Sequence, residues 1–216
     1  MTRTPARRFA VATPWSDWSV LGIDPSLTGT GVALVTGGVL QKTEVLITDA
    51  TAPRPARLAS LRSGVAAFLA AYTPTIIAME TEAFGMPQQA SVLGAVQGVL
   101  QMVVWEELID LRRRIPGHYL PVNVSHVKKW LGVRQKNEIL LAVYKRYGLT
   151  FSDHNAADAT VIAMIADAYL ARTTGHEWSE WTAPQREVLD KLAKTGYPWE
   201  QEPVKKVRKS KSAPTA

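Results

Sequence analysis

The chain has 216 residues, 46% hydrophobic and 20% charged, which suits one ordinary domain with extensions and excludes a wholly disordered polypeptide. The absence of cysteine excludes disulfides, thiolate metal sites and a cysteine nucleophile; no apolar leader or membrane-length run is present either, so a cytoplasmic protein with no membrane partner is expected. The net charge of +6 points to a polyanionic partner.

Residues 1–18, a mixture of Pro, Arg and small polar side chains, are read as a flexible arm. Ser19 to Asp24 is a mostly apolar run that ends in an acid and predicts a buried strand, with Pro25 and the Gly29/Gly31 pair forcing a turn after it. Thr30–Val35 and Val39–Ile47 predict two more strands joined by a hairpin at Gly37-Gly38. Leu58, Leu61, Val65, Phe68 and Leu69 recur at helical spacing, so a helix is expected over about residues 55–72. Thr75 to Glu80 is a second apolar run ending in an acid. A long helix follows at about 88–113, with Ala90, Gly94 and Gly98 on one face. Tyr119–Val124 reads as a strand in the core or at its edge. Helices are then expected near 126–131, capped by Ser125, near 135–147 and over 156–172. Beyond Thr173 the composition changes: 173–202 is a tryptophan-containing extension with Trp178, Trp181 and Trp199, whose acidic surroundings favour packing against the body. Residues 203–216 are a disordered basic tail. Hairpin strands followed by alternating strands and helices define an α/β fold with a mixed sheet.

The charge is informative once divided. The arm carries +2 and the tail +5, so the body between them sums to −1. Within that body, residues 112–146 hold nine basic residues against Glu138 alone. A short charge run is usually a solvated helix face, and Arg112 to Arg114 fit a helix C-terminus. Nine to one is harder to assign to solvent and suits phosphate contacts.

Asp24, Glu80 and Asp158 stand at two strand ends and in the first turn of a helix. Each alone is an ordinary structural acid. Together, if they converge, they repel one another unless a cation neutralises them, and hard oxygen ligands suit Mg²⁺ or Mn²⁺. Such ions can activate water for phosphodiester hydrolysis. Spacing along the chain does not establish the convergence.

Four segments in order, IDPSLTGTGVA, IIAMETEAFG, VSHVKKWLGVRQK and SDHNAADATVIAMIA, resemble the successive motifs of RuvC-type Holliday-junction resolvases, most nearly the small bacteriophage members. The resemblance spans roughly residues 19–172. It implies an RNase H-like mixed sheet flanked by helices, a homodimer, and cleavage of four-way-junction DNA with Mg²⁺ or Mn²⁺, in the host cytoplasm for a phage-encoded enzyme. By the same resemblance Asp24, Glu80 and Asp158 are metal-binding catalytic carboxylates and Lys136 supports phosphate or transition-state charge. Lys128, Lys129, Arg134 and Lys136 make up the basic DNA-binding stretch. Phe84 corresponds to an aromatic that wedges between bases, one position further from the glutamate than in bacterial enzymes. Where cellular members carry Asp or His, three residues before the last carboxylate, this chain has Asn155. Asp153 and His154 stand equally as replacements for that ligand, with Asn155 slightly behind. The competing readings are a catalytically weak branched-DNA-binding module and, less favoured because no second lobe fits this length, an actin-like nucleotide-binding protein.

Overall fold

The computed structural model describes residues 18–81, 87–110, 119–175 and 181–195. Strands β1 (Ser19–Asp24), β2 (Gly29–Thr36) and β3 (Val39–Ile47) form an antiparallel meander. The β2–β3 turn is made by Gly37 and Gly38, both at positive φ, the backbone that a two-residue hairpin with the native twist requires. Helix α1 (Arg54–Tyr72) carries the chain back, and β4 (Ile76–Thr81) then lies parallel to β1. After α2 (Pro87–Asp110), β5 (Tyr119–Asn123) adds in parallel to β4. The sheet order is β3-β2-β1-β4-β5. Pro121 is tolerated because β5 is an edge strand, and β3, the opposite edge, presents the polar run Gln41, Lys42, Thr43 and Glu44 that discourages edge-to-edge pairing.

The sheet separates two cores by simple alternation. Leu21, Ile23, Ile77 and Met79 face α1 and α2. Val20, Ile76, Ala78, Leu120 and Val122 face the opposite layer, formed by α3 (Val124–Leu131), α4 (Ile139–Tyr147), α5 (His154–Thr173) and α6 (Ala183–Thr195). Fifteen residues of α5 are buried, the pattern of a helix enclosed on all sides rather than laid on a surface.

Three details depart from the sequence reading. Gly29 and Gly31 lie inside β2, so the turn is confined to the residues between Asp24 and Gly29. Asn123, not Ser125, caps α3: its Oδ1 accepts from Ser125 N at 2.8 Å, while the Asn123 backbone N donates to His126 Nδ1 at 3.3 Å. Helix α6 lay unrecognised within the extension after Thr173. Its start is fixed by Gln185 Oε1, which accepts from Thr182 N at 3.0 Å, and its Val188, Leu189 and Leu192 enter the same core as buried Trp181. Among the described residues no helix is long and apolar enough to cross a membrane.

Candidate active site

The parallel register pairs Ile23 with Met79, which makes Asp24 and Glu80 the next residues on neighbouring strands, about 4.8 Å apart by strand spacing. Alternation sends both toward the face that α5 covers. Helix α5 reaches that face unusually closely. A Cβ built on Gly22 would stand 2.1 Å from the carbonyl oxygen of Ala159, and one on Gly31 2.1 Å from that of Asn155. Two glycines thus let helix backbone rest on strand backbone, and the first turns of α5 deliver Asp158 to the strand ends.

The resulting acids are poorly solvated. Asp24 is 6% exposed and Asp158 3%. Burial holds the Asp24 carboxyl well above the usual carboxylate range, and the charges of Glu80, Asp158 and Asp153 add to the effect. Glu80 is pushed up to about 7 by burial and then by Asp158, against the opposing pull of Lys136 and Lys128. Asp158 is raised by burial despite Lys136, His154 and Lys128. One cation sits among them: Lys136 Nζ lies 3.1 Å from Asp158 Oδ2. Burial works against the Lys136 ammonium, but the attraction of Asp158, Asp24 and Glu80 outweighs it and raises its pKa. Lys136 offsets only part of the charge that three ionised carboxylates would carry, and among the described residues Asp158 Oδ1 is buried with no hydrogen-bond partner.

The residues around the acids have distinct tasks. Asp153 caps α5, its Oδ1 accepting from Asn155 N at 2.7 Å, and Asn155 Nδ2 donates to Gly29 O at 2.8 Å. His154 Nδ1 is buried and makes no hydrogen bond among the described residues. Sequence reasoning missed two supports. Gln97 on α2 donates through Nε2 to the Glu80 carbonyl at 3.0 Å. Glu138 Oε2 accepts from Arg134 N and Gln135 N at 2.8 and 3.0 Å, bracing the single 3-10 turn (Lys136–Glu138) that presents Lys136. The only signal for Glu138 was its being the lone acid in the basic stretch. Among the described residues no three ligating side chains already stand close enough to enclose an ion.

The chain matches the family model described as "Crossover junction endodeoxyribonuclease RuvC" over residues 20–166, a span that takes in all three acids and Lys136. It belongs to the RuvC family of crossover junction endodeoxyribonucleases. Curated relatives with that name include one from Frankia casuarinae, 31% identical over 67% of this chain and 86% of the relative. Another, from a Nocardioides species, is 32% identical over 67% and 84%. The fold is that of the Thermus thermophilus RuvC structure in complex with a Holliday junction substrate, with a TM-score of 0.59 at 24% identity, covering 74% of this chain and 97% of that one.

Among the other residues expected to serve RuvC-type chemistry, Lys128 is near enough for its charge to act on both Glu80 and Asp158. Lys129 instead pairs with Glu187 of α6. Arg134 is exposed at the start of the turn that Glu138 braces. Phe84 lies outside the described residues, as do Arg112 to Arg114, Trp178, Trp199, the basic tail and all but the last residue of the arm.

Proposed function

We propose that this RuvC-family enzyme hydrolyses phosphodiesters of four-way-junction DNA at a divalent-metal centre built on Asp24, Glu80 and Asp158. The observation that carries the reading is the meeting of three carboxylates, buried Asp24 and Asp158 and half-buried Glu80, beside one lysine. The donor chemistry fits a hard dication, since a partnerless carboxylate oxygen and excess buried negative charge are the features such an ion would relieve. Mg²⁺ or Mn²⁺ there would supply Lewis acidity, lowering the pKa of water and stabilising the leaving oxygen. Asp24, Glu80 and Asp158 would hold the ion, Lys136 would meet phosphate charge, and Lys128 and exposed Arg134 would bind the flanking backbone. In-line attack would leave 5′-phosphate and 3′-hydroxyl ends.

Three neighbours compete to complete the ligand set, and His154 has the strongest support. Asp153 is engaged as a helix cap and Asn155 as a tether to Gly29, whereas His154 Nδ1 is buried without a partner one helical turn from Asp158. An imidazole ligand would favour Mn²⁺ over Mg²⁺. Calorimetric titration with Mn²⁺ tests it: His154→Ala should weaken binding about tenfold or more, as for loss of groups that directly tune a metal, and Asp153→Asn should not.

Homodimerisation is proposed on separate grounds. Gly98, Met102 and Trp105 follow one another at spacings of four and three along α2. Met102 is 59% and Trp105 50% exposed, and among the described residues, apart from the neighbouring backbone of α2 itself, nothing lies within 4 Å of a Cβ built on Gly98. Two copies would place two centres to nick opposed strands of a junction.

The decisive experiment incubates the protein with synthetic four-way junctions, flaps and linear duplex, with Mg²⁺ or Mn²⁺. Metal-dependent cleavage that prefers the junction, and is lost in Asp24→Asn and Asp158→Asn, is expected. Tight junction binding without cleavage under either metal would leave a DNA-binding module, and cleavage that survives both substitutions would remove the acids from the mechanism.

A further inference from the structure

Asp24 ends β1, and the register of β1 with β4 stops one residue earlier, at Ile23 and Met79. Asp24 itself is paired with Gly31 of β2, so the backbone beyond it depends on the turn of residues 25–28 that leads into β2. The carbonyls of that turn are tied one after another. Ser26 O accepts from Thr30 Oγ1 at 2.8 Å, and Thr30 Oγ1 accepts from Ser26 N at 3.2 Å. Thr28 O accepts from Thr48 N at 3.2 Å. Leu27 O accepts twice, from Thr48 Oγ1 at 2.5 Å and from Arg57 Nη2 at 3.1 Å.

Arg57, in the first turn of α1, closes a ring of hydrogen bonds. Its Nε donates to Thr48 Oγ1 at 2.9 Å. A hydroxyl has one proton, so Thr48, accepting from Arg57, gives that proton to Leu27 O, and the direction of every bond in the ring is set. Thr48 is buried and Arg57 half-buried, which keeps water from competing for these groups. A guanidinium fork ordinarily meets a carboxylate or a phosphate. Here both of its hydrogen bonds go to neutral oxygens. The nearby acid, Asp49, is turned elsewhere: its Oδ1 accepts from Thr51 N at 2.9 Å and from Thr51 Oγ1 at 2.7 Å.

We propose that Arg57, acting through Thr48 and the Leu27 carbonyl, is a positioning residue for Asp24, fixing the turn on which this carboxylate ends and so raising the affinity of the centre for a dication. The inference rests on the metal-centre reading above. Ionised Asp24, Glu80 and Asp158 repel one another, so the strand ends are pushed apart in the very charge state that binds a metal, and something must hold them. A direct arginine–carboxylate pair would do so at the cost of the oxygens the ion needs. A bond to the main chain three residues on holds the backbone and leaves both carboxylate oxygens of Asp24 free of the guanidinium. Glu80 is held by the same device, since Gln97 of α2 donates to its carbonyl and not to its carboxylate. Each strand-end acid is thus braced through main chain by a side chain from the α1–α2 layer.

The test uses the full chain, with calorimetric Mn²⁺ titration and single-turnover junction cleavage at a temperature where every variant is folded. Arg57→Ala and Thr48→Val should each weaken Mn²⁺ binding about tenfold or more and slow cleavage by a similar factor. Junction affinity without metal should stay within about twofold of the parent, because no phosphate contact is removed. Thr48→Ser, which keeps the hydroxyl, should restore the parental values; Arg57→Lys, which keeps the charge and loses the fork, should not. Coupling is reciprocal, so saturating Mg²⁺ should slow solvent exchange of the Arg57 Nε–H in nitrogen-15 NMR of the parent. That readout needs no substitution and stands if a variant fails to fold. Parental Mn²⁺ affinity in both folded Arg57→Ala and Thr48→Val, full recovery in Arg57→Lys, or unchanged Nε–H exchange would overturn the proposal. Loss of junction affinity with Mn²⁺ binding intact would overturn it as well and make Arg57 a DNA contact. A parent that binds no Mn²⁺ would overturn the metal centre together with its brace, so the parental titration tells the two failures apart.

Discussion

Asp158 and Asp167 lie on the same helix, both buried, both with carboxyls that burial raises, and yet they belong to different chemistry. Around Asp158 stand two further acids and a lysine, with β1, β4 and the turn before α4 all contributing charge. Around Asp167 the Gly38 N–H is accepted by one oxygen, and Trp130, Tyr147 and Trp181 wall the cavity that it lines. Burial alone therefore does not distinguish the two acids. What distinguishes them is whether the neighbours add like charge, as the other acids do around Asp158, or leave the acid among aromatic rings with one backbone hydrogen bond, as around Asp167.

The largest expected effect breaks the comparison outright. Asp158→Asn should reduce metal-dependent junction cleavage on the order of 10³-fold or more, since several kcal/mol of transition-state stabilisation depend on holding the ion, whereas Asp167→Asn should stay near the parental rate. Lys136→Ala should lie between them, at about 10²-fold, as for removal of one group that meets developing charge; single-turnover cleavage at saturating enzyme measures all three.

Proton linkage sharpens the contrast. An acid whose pKa is higher in the folded state than in the unfolded chain binds protons preferentially when folded, so its contribution to stability falls as pH rises between the two values. For Glu80 that window runs from the ordinary 4.5 to about 7, and for Asp167 from 3.8 to about 6. Without divalent metal, melting temperature should decline through both windows. Adding Mn²⁺ should recover the loss in the upper window and leave the lower one. Removing the charge by Asp167→Asn should stabilise the protein near neutral pH by on the order of 2–3 kcal/mol, provided the amide keeps the Gly38 bond. Thermal melts across pH, with and without metal, read these outcomes. The smallest effect lies outside both regions: Glu187→Ala breaks the exposed pair with Lys129 and should cost less than about 1 kcal/mol in denaturant unfolding.

Much of the active end was legible before any coordinates. The apolar runs ending in Asp24 and Glu80 announced strands whose ends present acids, and the parallel pairing of β1 with β4 turned two distant motifs into neighbours. Convergence with Asp158 was not legible, because it depends on how closely α5 settles on β1 and β2, a contact between backbones that leaves no side-chain pattern. Which of Asp153, His154 and Asn155 caps α5 and which ties to Gly29 was equally closed to sequence, since adjacent polar residues at a helix start can all serve there. Helix α6 was missed for a different reason. Thr182 and Gln185 form the start of a capping box with Pro184 in the first turn, and Gln185, Val188, Leu189 and Leu192 keep helical spacing, but the tryptophans and acids around them drew the reading toward an extension. The cavity at Asp167 had no linear signature, its polar groups being spread over three elements.

The fit at Gly22 and Gly31 has a consequence for anyone who maps this enzyme by random mutation. Neither residue carries a reactive group, yet any side chain there would have to push a helix off the sheet, and Asp158 would leave the strand ends with it. A screen for lost cleavage should return these two glycines alongside the acids, at comparable severity. The two kinds of hit separate on heating: loss at an acid should leave a protein that melts as high as the parent or higher, and loss at a glycine one that melts early.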